Sequence, residues 1–300
     1  ICGYHGWHDW YLATNISSNN NLNNHLLPGL NPLGVPKALK DTIIPFNFNS
    51  CDDLNNVVKK HAKSCAAIIM EPARNTLACK QFLKEIRTIS TKNNCVLIFD
   101  EITSAWRNDT SGIHKELGVN PDLATFGKTI ANGIPMAALI GKKKIMEKAK
   151  DTFVSSTNWT ERLGPACAVA FIKKHKRLNL GKKLQNNGKQ IRDIWLQSAQ
   201  EAGLKIKIDG ILPLSSFKIE TENKDDWPII ITFFIQEMLK QNILASDRCY
   251  SNYCQTKKLL NIYRQACNDV FKKISLFLKK GNLKSKLDGP VKQMGFKRLT

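Results

Sequence analysis

The chain has 300 residues, is 42% hydrophobic, and carries a formal net charge of +20 from 45 lysines and arginines against 25 aspartates and glutamates. That length suits one large or two medium domains, and no apolar stretch approaches the roughly 20 residues that a membrane-spanning helix needs. The charge would suit an acidic partner. The lysines recur in pairs such as Lys173-Lys174, Lys182-Lys183, Lys257-Lys258 and Lys272-Lys273, so solvated helix faces are expected, with neither nucleic acid nor membrane as partner.

Nine cysteines are scattered through the chain without a CxxC pair. Reduced thiols and a cytoplasmic location are expected, rather than a disulfide framework or a zinc site. The opening Ile1-Cys2-Gly3-Tyr4-His5 shows no basic segment ahead of an apolar one, so no secretory leader is expected. The chain starts without methionine, inside what reads as a structured segment, and a fragment is expected.

Residues 1–50 are punctuated by Gly29, Pro32, Gly34, Pro36 and Pro45 and read as turns. Asp52-Asp53 opens a helical pattern that runs to about Lys63, with the acids favourable at its N-terminus. Ala66 to Met70 and Cys95 to Phe99 are short apolar runs that read as buried strands. Between them Gln81 to Asn93 is an amphipathic helix, with Phe82, Ile86 and Ile89 on one stripe. Leu123 to Phe126 is a third strand. Strand, helix and strand with continuous apolar strands predict a mainly parallel α/β sheet covered by helices on both faces. Ligands collect at the carboxyl ends of such strands, where Glu71, Asp100 and Lys128 all fall.

Past Gly164-Pro165 the pattern changes. Ala166 to Trp195 reads as helical with a break near Asn179-Leu180-Gly181, Leu204 to Ile208 and Ser216 to Glu220 as strands, and Ile229 to Gln241 and Thr256 to Leu278 as helices. The division expected is a large domain over 1–177 and a smaller C-terminal α+β domain over 178–300.

Four places carry chemistry. Lys128 lies in Gly127-Lys128-Thr129-Ile130-Ala131-Asn132-Gly133. A lone lysine is ordinarily a surface residue, but small apolar flanks favour a desolvated amine of lowered pKa. The two glycines would let the backbone approach a bulky ring. Asp100-Glu101 could cap a helix or bind a metal; strand alternation instead sends Asp100 and Ile102 to one side and Glu101 to the other. An apolar strand delivering a carboxylate, followed by such a lysine, is what pyridoxal phosphate (PLP) requires. The amine forms a Schiff base, and the carboxylate keeps the ring nitrogen protonated. In Gly3-Tyr4-His5-Gly6-Trp7-His8 a two-histidine metal site is disfavoured for want of acids beyond Asp9, and an aromatic stacked on a flat cofactor is favoured. In Ser155-Ser156-Thr157, Thr157 or Thr160 either caps the next helix or binds phosphate.

Taken together, Gly3-Tyr4-His5-Gly6, Glu71-Pro72, Asp100-Glu101-Ile102, Gly127-Lys128 and Ser156-Thr157 occur in the order found in class III PLP-dependent aminotransferases. The chain resembles most closely their glutamate-1-semialdehyde aminomutase-like branch. The resemblance runs through Ile235-Gln236-Glu237-Met238-Leu239 to the C-terminus, while the family's N-terminal third, with its phosphate-binding turn, falls outside the chain. The stretches 6–11 and 131–136 look more like aminotransferase relatives linked to sugar pathways.

The resemblance implies fold type I, and PLP-dependent amino-group transfer between a small amino donor and an oxo acceptor. It implies Lys128 as Schiff-base lysine and proton shuttle, and Asp100 as the pyridinium partner. Tyr4 and Ile102 would lie on opposite ring faces, His5 supporting Tyr4, with Glu71 in the network beneath the ring. It further implies a homodimer with the active site at the interface, Thr157 reaching the neighbouring subunit's cofactor phosphate. The competing expectation is a catalytically incompetent fragment that folds or dimerises and binds PLP weakly if at all. A basic nucleic-acid binder ranks third, because no recognised motif supports it.

Overall fold

The computed structural model describes residues 5–6, 8–17, 31–223 and 225–294. In chain order its first part holds α1 (His8–Ala13), α2 (Cys51–His61), β1 (Ala67–Met70), α3 (Lys80–Lys92), β2 (Val96–Asp100), α4 (His114–Leu117), β3 (Leu123–Phe126), β4 (Ala138–Gly141) and α5 (Lys143–Met146). Helix α2 starts one residue before the aspartates because Ser50 caps it, its hydroxyl accepting from Asp53 N at 3.2 Å. Lys59, Lys60 and His61 occupy its last turn, where cations suit the helix dipole.

Strands β1 to β4 form one sheet in sequence order. The β1–β2 and β2–β3 pairs are parallel, with Met70 opposite Phe99 and Phe99 opposite Ala124. Strand β4 joins β3 antiparallel. Because paired residues share a face, Ile68, Met70, Leu97, Phe99, Ala124 and Phe126 all point the same way. That face carries two apolar cores. One packs Phe82, Leu83 and Ile86 of α3 and Leu54 of α2 against β1 and β2. The other gathers Trp106, Ile130, Ala131 and Ala168 against β3. The opposite face presents half-buried Ile69, Val96, Ile98, Leu123 and Thr125 and ends in Asp100, so the two faces are unequally covered among the described residues.

A buried acid staples the amino end of this sheet. Asp122 accepts from Leu97 N at 2.8 Å and pairs with Lys142 at 2.6 Å and Arg87 at 3.0 Å. Burial would raise its pKa, but these hydrogen bonds and charges prevail and hold the carboxyl below its ordinary value.

The second part holds α6 (Leu163–Arg177), α7 (Leu180–Ala202), β5 (Ile206–Asp209), β6 (Leu214–Ile219), α8 (Asp226–Lys240), β7 (Arg248–Tyr250) and α9 (Lys257–Lys279). The break between α6 and α7 falls at Asn179, which takes a left-handed conformation with φ +46°. Strands β5, β6 and β7 form an antiparallel sheet in that order. Its core is built on Ile191, Ile194, Trp195, Phe217, Phe234 and Phe271. The indole N–H of fully buried Trp195 donates to the Tyr263 hydroxyl at 2.8 Å, so the core's largest side chain leaves no polar atom unpaired.

The two parts meet beside the carboxyl edge of the first sheet. Gly210 N donates to Asn75 O at 2.6 Å, and Ile211 and Leu214 share a small core with Ala73 and Ile113. The α7 backbone comes so near residue 108 that a Cβ on Gly181 would sit 2.2 Å from Asn108 O. No helix of the described residues is long and apolar enough to cross a membrane.

Candidate active site

Asp100 ends β2 on the half-covered face, and the loop after it folds back to hold its carboxylate. Oδ1 accepts from Ile102 N at 3.0 Å and lies 3.5 Å from Thr125 Oγ1 on the neighbouring strand. Oδ2 lies 2.8 Å from His5 Nδ1. A carboxylate can only accept, so this imidazole nitrogen carries the proton. The contact spans most of a hundred residues of chain and brings the N-terminal motif to the strand edge. Tyr4 lies outside the described residues.

Glu101 does different work. Entirely buried, it accepts from His114 N and His114 Nδ1, each at 2.9 Å, and from the Ser104 hydroxyl. It therefore fastens the start of α4 to β2, and the alternation expected from the strand is what sends the two neighbouring acids apart.

Glu71 follows β1 directly. Its Oε1 accepts from Arg74 Nη1 at 2.9 Å, while Oε2 is buried without a hydrogen-bond partner. Burial pushes this carboxyl up, and Arg74 offsets part of the rise.

Lys128 follows β3 at the head of a short 3₁₀ turn, Lys128–Ala131. Its φ is +47°, a left-handed conformation that costs a non-glycine residue on the order of 1–3 kcal/mol. The residue as a whole is exposed, yet its Nζ turns inward and donates to Thr103 Oγ1 at 2.7 Å. Desolvation and then the nearby Arg74 charge push its pKa below the ordinary lysine value, with Glu71 and Asp100 pulling the other way. Ile102 stands beside this loop: a Cβ on Gly127 would meet its side chain at 3.5 Å, ordinary packing distance. Gly127 is thus not forced by close approach here, whereas Gly133, at φ +113°, needs glycine's freedom.

The structure therefore brings Lys128, Asp100, His5, Glu71 and Ile102 to one edge. Thr157, which the resemblance directs to a neighbouring subunit's cofactor, lies in an exposed stretch, residues 151–163. The capping alternative fails, since α6 begins after Arg162 with no side-chain cap. Three further residues at the edge escaped the sequence reading. Thr103 holds the lysine amine, and Arg74 pairs with Glu71. Arg107 donates to Thr103 O at 3.2 Å and lies 5.7 Å from the centre of the Tyr250 ring. Burial lowers the pKa of Arg107, and no ion pair with a carboxylate offsets that cost among the described residues.

Residues 2–278 match the family model for class-III aminotransferases. The chain belongs to that family. It is 28% identical over 264 residues to the 3-aminobutyryl-CoA aminotransferase of Cloacimonas acidaminovorans, covering 84% of this chain and 58% of that relative. It is 31% identical over 182 residues to the glutamate-1-semialdehyde 2,1-aminomutase of Thermodesulfovibrio yellowstonii, covering 58% of this chain and 43% of the aminomutase. Among solved structures, a transaminase with PLP bound superposes with a TM-score of 0.76 at 20% identity, over 91% of this chain and 66% of that one. The fold is therefore that of the fold type I transaminases. The chain spans about half the length of the curated relatives it matches.

Proposed function

We propose that this protein transfers amino groups between small amino and oxo compounds with PLP attached through Lys128. The observation that carries the reading is the edge itself. A buried carboxylate braced by His5 and a lysine amine of lowered pKa project from adjacent parallel strands. The donor set fits the cofactor: an amine for its aldehyde, a carboxylate for its ring nitrogen, and an unpartnered acceptor on Glu71 Oε2 for a further polar contact. When bound, PLP supplies an electron sink for a substrate carbanion.

The protein's own groups do the rest. Lys128 Nζ would hold the cofactor through its aldehyde and, when free of it, would move the proton between the substrate Cα and the cofactor C4′ position. An amine of lowered pKa suits both halves of that task, because its free-base form is more accessible than that of an ordinary lysine. Asp100, held by His5 and Ile102 N, would be the partner of the ring nitrogen. Ile102 would hold one face of the ring, with Tyr4 assigned to the other by the family resemblance, and Glu71 would join the hydrogen-bond network beneath it.

Thr157 serves the cofactor phosphate of a second copy in a homodimer. Exposed Phe153 and Trp159, at 98% and 65% accessibility, flank it and support a covered position in the assembly. Domains over 1–177 and 178–300 and a cytoplasmic location complete the reading. Absorbance tests it. Protein saturated with PLP is expected to turn yellow and then to lose that colour on adding an amino donor such as glutamate, alanine or a β-amino acid. Protein that keeps no yellow absorbance once excess PLP has been removed by gel filtration would sink the proposal.

A further inference from the structure

We infer that Thr103 is a positioning residue whose buried hydroxyl parks the Lys128 amine in both of its protonation states while that amine is unattached. The inference rests on the reading of Lys128 as the cofactor-bearing lysine. It begins from what the amine is not bonded to. Four charged groups act on it: Glu71 and Arg74 after β1, Asp100 at the end of β2, and Arg107 in the next loop. None of them forms an ion pair with Lys128 among the described residues. Glu71 is taken by Arg74, and Asp100 by His5 and Ile102 N. Among the described residues the one hydrogen bond of Nζ goes instead to a neutral group, Thr103 Oγ1, at 2.7 Å.

The chemistry of a hydroxyl explains why this partner suits a proton-moving lysine. It accepts from an ammonium, and by rotating its own hydrogen it donates to the lone pair of a neutral amine. A carboxylate in its place would serve the ammonium alone and hold the proton there. An apolar side chain would serve neither form and would release the long, flexible lysine stem to water. Thr103 is built to stay put. It is 5% exposed, and its carbonyl oxygen is fixed by Arg107 Nε at 3.2 Å. The left-handed turn at Lys128 gives the lysine stem the path to reach it.

The test uses the 300-residue chain without cofactor, so that it reports on Thr103 whether or not PLP binds. The pH dependence of Lys128 acylation by acetic anhydride, read by peptide mass spectrometry, gives the midpoint at which the amine becomes nucleophilic. Thr103→Ser is expected to keep the wild-type midpoint. Thr103→Val should move it upward, towards that of a surface lysine, as the unparked amine swings into water. Thr103→Asp should also move it upward, by stabilising the ammonium.

With PLP and an amino donor added, Thr103→Val should lose about 10- to 100-fold in the rate of colour loss at saturating donor, with donor KM held, and Thr103→Ser should recover it. A midpoint in Thr103→Val equal to or below that of wild type would overturn the inference. So would a slowed Thr103→Ser. If the acylation shifts appear and wild type never colours with PLP, the parking contact stands and the amino-transfer reading falls.

Discussion

Lys128→Ala protein is expected to take up no covalent PLP, and its amino-group transfer should fall by about 10⁴-fold or more, because one substitution removes both the point of attachment and the acid–base group. Folding should hold. Lys128 is exposed and makes no ion pair among the described residues, so unfolding stability is expected to stay within about 0.5 kcal/mol of wild type. The left-handed backbone costs alanine much what it costs lysine, and the change neither adds nor removes that strain. Urea denaturation beside an absorbance spectrum reads both halves. A variant that still colours and turns over as wild type does would mean that another lysine carries the cofactor.

The second large effect separates two adjacent acids. Glu101→Ala is expected to destabilise the protein by about 3–5 kcal/mol, since it strands His114 N, His114 Nδ1 and the Ser104 hydroxyl in a wholly buried place. Asp100→Asn should behave oppositely. The amide keeps an oxygen for Ile102 N, so stability should fall by no more than about 1 kcal/mol. Without a negative charge opposite the ring nitrogen, however, amino transfer should drop by about 100-fold or more. Denaturant midpoints and donor-driven colour loss measured on both variants decide the matter. Equal stability loss in the two, or full transfer activity in Asp100→Asn, would contradict the division of labour.

Sequence patterning reached furthest where one physical effect dominated. Strands β1 and β2 are continuous apolar runs that end at acids and β3 is apolar but for Thr125, and the helix between the first two carries its stripe of Phe82, Ile86 and Ile89, all of them buried. Those elements put Glu71, Asp100 and Lys128 at strand ends, so the convergence was legible before any coordinate. Strand β4 was not, because Ala138–Gly141 is a short antiparallel addition with exposed Leu139 and Ile140. Nor was β7, three residues long, or α4, a single turn.

The loop residues were missed for a different reason. Thr103, Arg74 and Arg107 acquire meaning only from how the loops after β1 and β2 fold back over the edge, and local sequence says little about that path. A hydroxyl three residues past Asp100 was the available signal for Thr103. Thr157 illustrates the reverse case: a motif with two local readings, of which capping is absent.

The central claim is that Lys128, among many lysines, is the one this fold prepares for the cofactor. Mass mapping tests it most directly: the protein is incubated with PLP, reduced with borohydride, digested and sequenced by mass spectrometry. A single stoichiometric pyridoxyl modification on Lys128, absent after Lys128→Ala, is the result expected. Label scattered over surface lysines such as Lys173 and Lys182, with Lys128 unmodified, would contradict it.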